Sequence, residues 1–235
     1  MTSFSSKFAP DVAIRLAVLD MAGTTIRDDG LVTTAFLSAL AHIGIDADDP
    51  QVPDYLAYVQ QTMGQSKIVV FRGLLNDETK AQKATAAFER AVSDAVQQGV
   101  IEPIAGAEAA FAQLRSAEIA ICLTTGFSAE TQALIVDVLG WSKLVDLTLA
   151  PSPGVRGRPY PDLALHALMQ LGIDDVRSLV VAGDTANDLL AGWRAGAGVV
   201  AGVLTGAHGR SELETAPHTH ILDSIADLPH AIGLG

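Results

Sequence analysis

Three acidic residues stand at positions where a folded chain can hold reactive groups. Asp20 follows the apolar run from Leu16 to Leu19, which is typical of a buried parallel strand. Asp184 ends a second apolar run, and Asp188 follows it by four residues, on the same face of the helix that we expect to begin there. Open α/β sheets bind ligands at the carboxyl ends of their strands. We therefore expect the three carboxylates to share one crevice.

Phosphoryl transfer is the chemistry that these carboxylates suit. It needs a nucleophile, neutralisation of the phosphoryl oxygens and usually a Mg²⁺ ion held by carboxylates. Asp20 can supply the nucleophile and one metal ligand. Crowded carboxylates repel one another, and a bound Mg²⁺ relieves that repulsion. Considered alone, Asp184 fits a helix cap better than a reactive group, and Asp188 fits a solvated acid in a first helical turn better.

Two further segments offer groups that bind phosphoryl oxygens. Thr124 and Thr125 follow a third apolar run, and they present hydroxyl and backbone N–H groups where we expect a helix to start. Arg158 lies in a loop rich in glycine and proline and can neutralise a phosphoryl group. Its alternative is an ordinary surface arginine. The sequence leaves open which of the two threonines contacts phosphate.

The elements that position these residues follow from the alternation of apolar runs and helical patterns. From residue 103 onward, strands and helices alternate, which predicts an α/β fold: a Rossmann-like three-layer core with a parallel sheet. The segment before it contains only helix-like stretches. We therefore predict an all-α cap domain over residues 28–102, inserted into a core formed by residues 1–27 and 103–235. Thr33 or Thr34 is expected to cap the first cap helix, and Asp77 the long alanine-rich one.

Composition excludes several classes of function. The formal net charge is −12, with 15 Lys and Arg against 27 Asp and Glu, and no basic cluster is present, so a nucleic-acid partner is not expected. No apolar run is long enough to cross a bilayer, and residues 1–10 lack the pattern of a signal peptide. Cys122 is the single cysteine and reads as a small buried hydrophobe. We expect a cytoplasmic protein that acts on a small anionic substrate without a membrane partner.

Four stretches together resemble the ordered motifs of the haloacid dehalogenase superfamily, whose members use an aspartate nucleophile. They are Asp20 to Thr25, Thr124 to Gly126, Gly157 to Pro159 and Gly183 to Asp188. The resemblance implies a Mg²⁺-dependent hydrolase in which Asp20 attacks phosphorus. It implies metal ligation by Asp20, the backbone carbonyl of Ala22, Asp184 and Asp188. It implies substrate and phosphate binding by Ala22, Gly23, Met63, Thr124, Thr125, Gly126 and Arg158.

Within that superfamily the sequence is most similar to the phosphonatase branch. Most phosphatases of the superfamily carry an acid two residues after the nucleophile, where this chain has Ala22. The stretch Met63 to Lys67 resembles the phosphonatase cap motif, whose lysine forms a Schiff base with the substrate aldehyde. A protonated imine is an electron sink that allows a C–P bond to break, and it requires a neutral lysine. The resemblance thus implies that Lys67 is catalytic and approaches Asp20 when the cap closes.

Other positions depart from the phosphonatase pattern. Val70 and Phe127 stand where that branch has a histidine and a tyrosine, and Met21 replaces a tryptophan. These departures concern the identity of the substrate more than the class of reaction. One alternative is therefore a phosphatase of a small phosphorylated metabolite, of the phosphoglycolate type. Another is a non-catalytic protein that binds a phosphoryl ligand.

The cap also contains aromatic residues whose role the sequence leaves open. They are Tyr55, Tyr58 and Phe71. They form either the core of the cap or the interface of a homodimer.

Overall fold

A parallel sheet with Asp20 at the end of an inner strand is the centre of the fold. The computed structural model describes residues 12–234, so the prediction about residues 1–10 and the start of the predicted first core segment lie outside the described residues. The strands are β1 (Leu16–Asp20), β2 (Ala120–Thr124), β3 (Leu147–Leu149), β4 (Leu179–Gly183), β5 (Val199–Val203) and β6 (His220–Leu222). Their order is β3-β2-β1-β4-β5-β6, and all neighbours are parallel. The strands β2 and β3 lie on one side of β1, and β4 to β6 lie on the other, so the strand order reverses at β1. In α/β sheets, ligands bind in the crevice at such a point.

Helices connect the strands and cover the sheet. The helices are α1 (Leu31–His42), α2 (Val52–Gln61), α3 (Lys67–Leu75), α4 (Glu78–Gln97), α5 (Ala107–Ser116), α6 (Ala129–Val138), α7 (Asp162–Gln170), α8 (Ala186–Ala195), α9 (Arg210–Leu213) and α10 (Leu228–Ala231). Across residues 12–234, no helix has both the length and the apolar composition that crossing a bilayer requires.

The two faces of the sheet bury separate hydrophobic clusters. In β1, Ala17 and Leu19 pack in the cluster that contains residues of α5 and α6, while Leu16 and Val18 pack in the cluster of α7 and α8. This alternation is the two-residue period of a strand buried on both faces. Cys122 is buried in the second cluster, as predicted, and burial raises the pKa of its thiol. The prediction of a three-layer α/β core is confirmed.

Helices α1 to α4 form the predicted helical cap between β1 and α5. Phe36 of α1 stacks on Phe71 of α3 with ring centroids 5.0 Å apart, and Phe71 meets Phe88 of α4 edge-on at 6.3 Å. Phe88 in turn lies 6.1 Å from Phe127, which follows β2. Phe71 is thus buried in the cap, which is one of the two roles open to it. The domain boundaries at residues 27/28 and 102/103 stay predictions.

The helix ends of the cap show one correct and one wrong prediction. Asp77 caps α4, because its side chain accepts a hydrogen bond from the backbone N–H of Lys80 at 3.0 Å. The prediction of Thr33 or Thr34 as the first cap was wrong. The helix begins earlier, after Gly30 in a left-handed conformation (φ 81°), and the carboxylate of Asp28 accepts the N–H of Val32 at 2.9 Å. That carboxylate satisfies one of the free N–H groups of the first turn.

Candidate active site

The sheet brings the three acidic residues together at one edge. Asp20 ends β1 opposite Thr124 of β2, and Asp184 follows the last residue of β4, the neighbouring strand on the other side. Asp188 lies in the first turn of α8, where it forms a reciprocal cap with Thr185. All three carboxylates are buried. The crevice that the sequence predicted is therefore present, and Asp188 also caps its helix.

Arg158 is the cation that faces two of these carboxylates. It lies in the loop between β3 and α7, and only 5% of it is exposed. Its Nη1 pairs with the carboxylates of Asp20 and Asp188. Within residues 12–234, Nε and Nη2 are buried without a hydrogen-bond partner. Buried donors without a partner are costly, so these two N–H groups suit the oxygen atoms of an anionic ligand.

Asp184 is held by backbone and hydroxyl groups of the surrounding loops. Its Oδ2 accepts the N–H of Ala207 at 2.6 Å, and its Oδ1 accepts the hydroxyl of Thr24 at 3.4 Å. Gly23 packs against the same carboxylate: a Cβ at this position would lie 2.6 Å from Oδ2, and its φ of 84° also favours glycine. Because Gly23 has no side chain, the backbone at this position can lie close to Asp184.

Burial and mutual repulsion perturb the acidic groups. Burial, the larger cause, together with the charge of Asp188, raises the pKa of Asp20 to about 6, although Arg158 opposes the shift. Burial and the charges of Asp20 and Asp188 raise the pKa of Asp184 well above its ordinary value. A nearby divalent cation would relieve this cost. The structure thus explains why an acidic cluster at this position suits a cation.

The donor set fits Mg²⁺ with few protein ligands. Among the described residues, no group of three or more His, Cys, Asp or Glu side chains is arranged to hold a metal. Asp20, Asp184 and the residue Ala22 line one pocket, so two carboxylates and a backbone carbonyl are available there. Mg²⁺ prefers oxygen ligands and usually keeps waters or substrate oxygens in its shell. Asp188 pairs with Arg158, as Asp20 does, and it also accepts the backbone N–H of Thr185.

The structure distinguishes the two threonines. Thr125 lines the pocket with Asp20, and its Oγ1 accepts the N–H of Phe127 at 3.1 Å. The hydroxyl of Thr124 instead donates to the carbonyl of Leu19 at 3.4 Å, inside the sheet. Thr125 is therefore the threonine placed to contact a ligand.

Lys67 is the first residue of α3 and approaches the site from the cap. Only 7% of it is exposed, and its Nζ lies 5.4 Å from the ring centroid of Phe88 and 5.7 Å from that of Phe127. Burial and, next, the positive charge of Arg158 lower its pKa. The N–H of Lys67 donates to the carbonyl of Gly126 at 3.3 Å, which joins the cap backbone to the loop after β2. The environment therefore shifts the equilibrium of the amine toward its neutral form.

One pocket of about 30 Å³ unites residues from both sides. This volume accommodates roughly two water molecules, so residues of the cap and the core lie close together around it. The predicted site residues that line it are Asp20, Ala22, Met63, Lys67, Thr125, Gly126 and Asp184, and the further lining residues are Asp28, Val32, Gly64, Phe127, Thr185 and Ala207. Asp28 is the acidic group among them that our interpretation of the sequence missed. Its only signal was a carboxylate just before a helix start.

Comparison with known proteins identifies the family of this chain. The model of the haloacid dehalogenase-like hydrolase family matches residues 14–196. The chain is 30% identical to the phosphonoacetaldehyde hydrolase of Lactiplantibacillus plantarum, with 86% of this chain and 81% of that protein covered. It is 23% identical to the probable phosphatase IndB of Dickeya dadantii, with 91% of each covered.

A solved structure supports the fold. The structure of a phosphonoacetaldehyde hydrolase-like protein from Oleispira antarctica superimposes with a TM-score of 0.77 at 21% identity, covering 96% of this chain and 95% of that one. At this identity the similarity concerns the fold, including the helical cap.

Proposed function

Because the chain belongs to the haloacid dehalogenase-like hydrolases and is a hydrolase, we propose that it cleaves the C–P bond of phosphonoacetaldehyde or a closely related phosphonate. The observation that carries this proposal is Lys67, a buried amine with a lowered pKa in the same pocket as Asp20. A phosphomonoester hydrolase has no need for a neutral amine at that point. The family assignment also sets aside the alternative of a non-catalytic binding protein.

The core residues act on the phosphoryl group. Asp20 attacks phosphorus through one carboxylate oxygen, and Arg158 directs its unpaired N–H groups at the phosphoryl oxygens. Asp20, Asp184 and the Ala22 carbonyl would hold Mg²⁺, which neutralises charge on the transferred group. In the structure, Arg158 pairs with Asp20. A phosphoryl group that engages the guanidinium would free the Asp20 carboxylate for attack.

The cap residue Lys67 acts on the organic part of the substrate. Its neutral amine adds to the aldehyde carbon, and loss of water gives a protonated imine. The electron pair of the C–P bond then moves into the imine and forms an enamine, while the Asp20 oxygen bonds to phosphorus. A carbon leaving group in this form needs no acid to protonate an alkoxide. This logic accounts for Ala22, which replaces the acid found in most phosphatases of the family.

A second candidate function is hydrolysis of a small phosphate ester. It is favoured by Phe127, which lines the pocket, and by Val70, which is buried: neither offers a polar group to an aldehyde. The similarity to a probable phosphatase points the same way. In that case Lys67 would act as an electrostatic group.

The test is borohydride trapping combined with phosphate release. The protein is incubated with phosphonoacetaldehyde and borohydride, and its peptides are analysed by mass spectrometry. Phosphate release is measured in parallel without borohydride, with Mg²⁺ or with a chelator. We expect an adduct at Lys67 and phosphate release that requires Mg²⁺. Lys67→Arg, which keeps the charge but forms no stable imine, is expected to lose both.

Two outcomes would decide against the proposal. Absence of the adduct and of phosphate release would exclude the phosphonate reaction. Turnover of a phosphate ester such as phosphoglycolate that survives Lys67→Arg would favour the phosphatase.

A further inference from the structure

Asp28 is a carboxylate in the pocket to which the mechanism above assigns no role. It lines the pocket together with Asp20 and Lys67. Its Oδ1 accepts the N–H of Val32 at 2.9 Å, which fixes the carboxyl group at the start of α1. It also lines a second cavity of about 320 Å³, whose rim includes the exposed residues Arg27 and Asp29. Asp28 therefore stands in the wall between the pocket and the outside.

The surroundings of Asp28 act on its pKa, and they include the amine of Lys67. Burial raises the pKa of Asp28 above its ordinary value, and the charge of Lys67 acts in the opposite direction. The carboxylate of Asp28 likewise acts on the pKa of Lys67. The two groups are thus electrostatic neighbours inside one pocket. A carboxyl group whose pKa is raised toward neutrality is a better general acid at physiological pH.

Formation of the imine needs such an acid. When an amine adds to an aldehyde, the oxygen must leave the carbinolamine as water, and it must first receive a proton. Ala22, Val70 and Phe127 carry no ionisable group. Asp20 and Asp184 are committed to phosphorus and the metal in our proposal. Asp28 is the remaining carboxyl group among the described residues that line the pocket.

We propose that Asp28 is the general acid that dehydrates the carbinolamine formed on Lys67, which rests on the proposed function. The nitrogen lone pair of the neutral carbinolamine forms the C=N bond as the C–O bond breaks. The proton of the Asp28 carboxyl group moves to the departing oxygen, which leaves as water. The products are a protonated imine, water and the Asp28 carboxylate. The carboxylate regains a proton from solvent through the outer cavity.

The experiment measures the rate of borohydride trapping at Lys67 in matched variants. Asp28→Asn keeps an acceptor for the N–H of Val32 but donates no acidic proton, so we expect trapping and phosphate release to slow on the order of 10²-fold. Asp28→Glu restores a carboxyl group and is expected to recover part of the rate. Added formic acid buffer should accelerate Asp28→Asn selectively, which a purely structural role would not produce.

Asp48→Asn is the matched control. Asp48 is exposed in the segment between α1 and α2, and it lines neither of the two cavities that Asp28 lines. We expect its trapping rate to equal that of the unchanged chain. Equal trapping rates for Asp28→Asn and the unchanged chain would overturn this inference alone. A lack of any trapping in the unchanged chain would overturn the proposed function, and the role of Asp28 with it.

Discussion

The core wall and the cap wall of the pocket have opposite chemical character. The core wall, which we define as Asp20, Thr125 and Asp184 with Arg158 behind them, is dense in charge and stands at the ends of sheet strands. The cap wall, defined as Met63, Gly64 and Lys67, contains one amine in largely apolar surroundings. Two chemically distinct halves of a substrate would therefore meet different surroundings.

The two walls also differ in how they are held. Hydrogen bonds between β1 and both of its neighbours fix the core wall. The cap wall is joined to the core by individual contacts, such as the bond from Asn187 Nδ2 to the carbonyl of Met63 at 2.7 Å. Elements with few attachments open at lower cost than the interior of a sheet. In our proposal, the core therefore sets the reaction at phosphorus, and the cap selects the organic group that is attached to it.

Asp20→Asn is the change that separates the two walls most sharply. Without the nucleophile, phosphate release is expected to fall by on the order of 10⁴-fold or more. The cap wall is unchanged, so borohydride should still trap phosphonoacetaldehyde on Lys67. Peptide mass spectrometry and a phosphate assay on the same sample measure the two halves. Loss of trapping in this variant would contradict the division between the walls.

The core wall was predictable from the sequence because local pattern and sheet geometry agree there. Asp20 and Asp184 each follow an apolar run, and parallel strands deliver their ends to one edge. The pairing of Arg158 with Asp20 and Asp188 could not be predicted from the sequence. Arg158 is 138 residues from Asp20 along the chain, and only the folded loop brings the two side chains together. Likewise, only the register of the loops shows that Thr125, and not Thr124, faces the pocket.

The cap was predictable as a set of helices but not in its contacts. Asp77 was recognised because a capping side chain acts within one turn. Asp28 could not be recognised from the sequence as a residue of the pocket. Its position depends on where α1 begins and on how the cap packs against the core. Glu89 was missed for the same reason: it belongs to α4, but its partners Ser128 and Thr131 lie at the start of α6. Contacts between distant segments leave no periodic signal in the sequence.

Lys67→Met tests whether the amine of the cap wall lowers the stability of the folded chain. The pKa of Lys67 in the folded chain is lowered below the ordinary 10.5, so the unfolded chain binds this proton more tightly. The cost to stability is full below the folded-state pKa, and it disappears as pH rises through 10.5. Methionine is therefore expected to raise Tm at pH 7. For a chain of this size, each 1 kcal/mol of cost that is removed corresponds to roughly 2–4 °C.

The pH dependence of that gain distinguishes it from simple repacking. The Tm difference between Lys67→Met and the unchanged chain should shrink as calorimetry is carried above the folded-state pKa of Lys67, and it should be smallest beyond pH 10.5. Lys80→Met, on the exposed face of α4, should leave Tm nearly unchanged at every pH. A gain that stayed constant with pH would show that the charge of Lys67 does not carry a cost.

Glu89→Ala gives the smallest effect because it weakens the attachment of the cap wall without touching the pocket. The Glu89 carboxylate of α4 accepts the N–H of Ser128 at 3.0 Å and the hydroxyl of Thr131 at 2.6 Å, at the start of α6. Hydrogen bonds to a charged group contribute about 1.5–3 kcal/mol each when buried, and Glu89 is only half-buried. We expect kcat/KM for phosphate release to fall roughly tenfold, since the closed cap is less populated.

Removing the charge of Glu89 also affects the pKa of Lys67, and this effect favours activity, whereas the loss of the hydrogen bonds lowers it. Its carboxylate opposes the lowering of the Lys67 pKa, so its removal should leave more of the amine neutral and move the acid limb of the pH profile downward. Asp94→Ala, on the same helix but exposed, should change neither quantity. A pH profile that shifts while its maximum stays unchanged would mean that Glu89 tunes the amine without docking the cap. A lower maximum identifies the contact with Ser128 and Thr131 as part of what brings the two walls together.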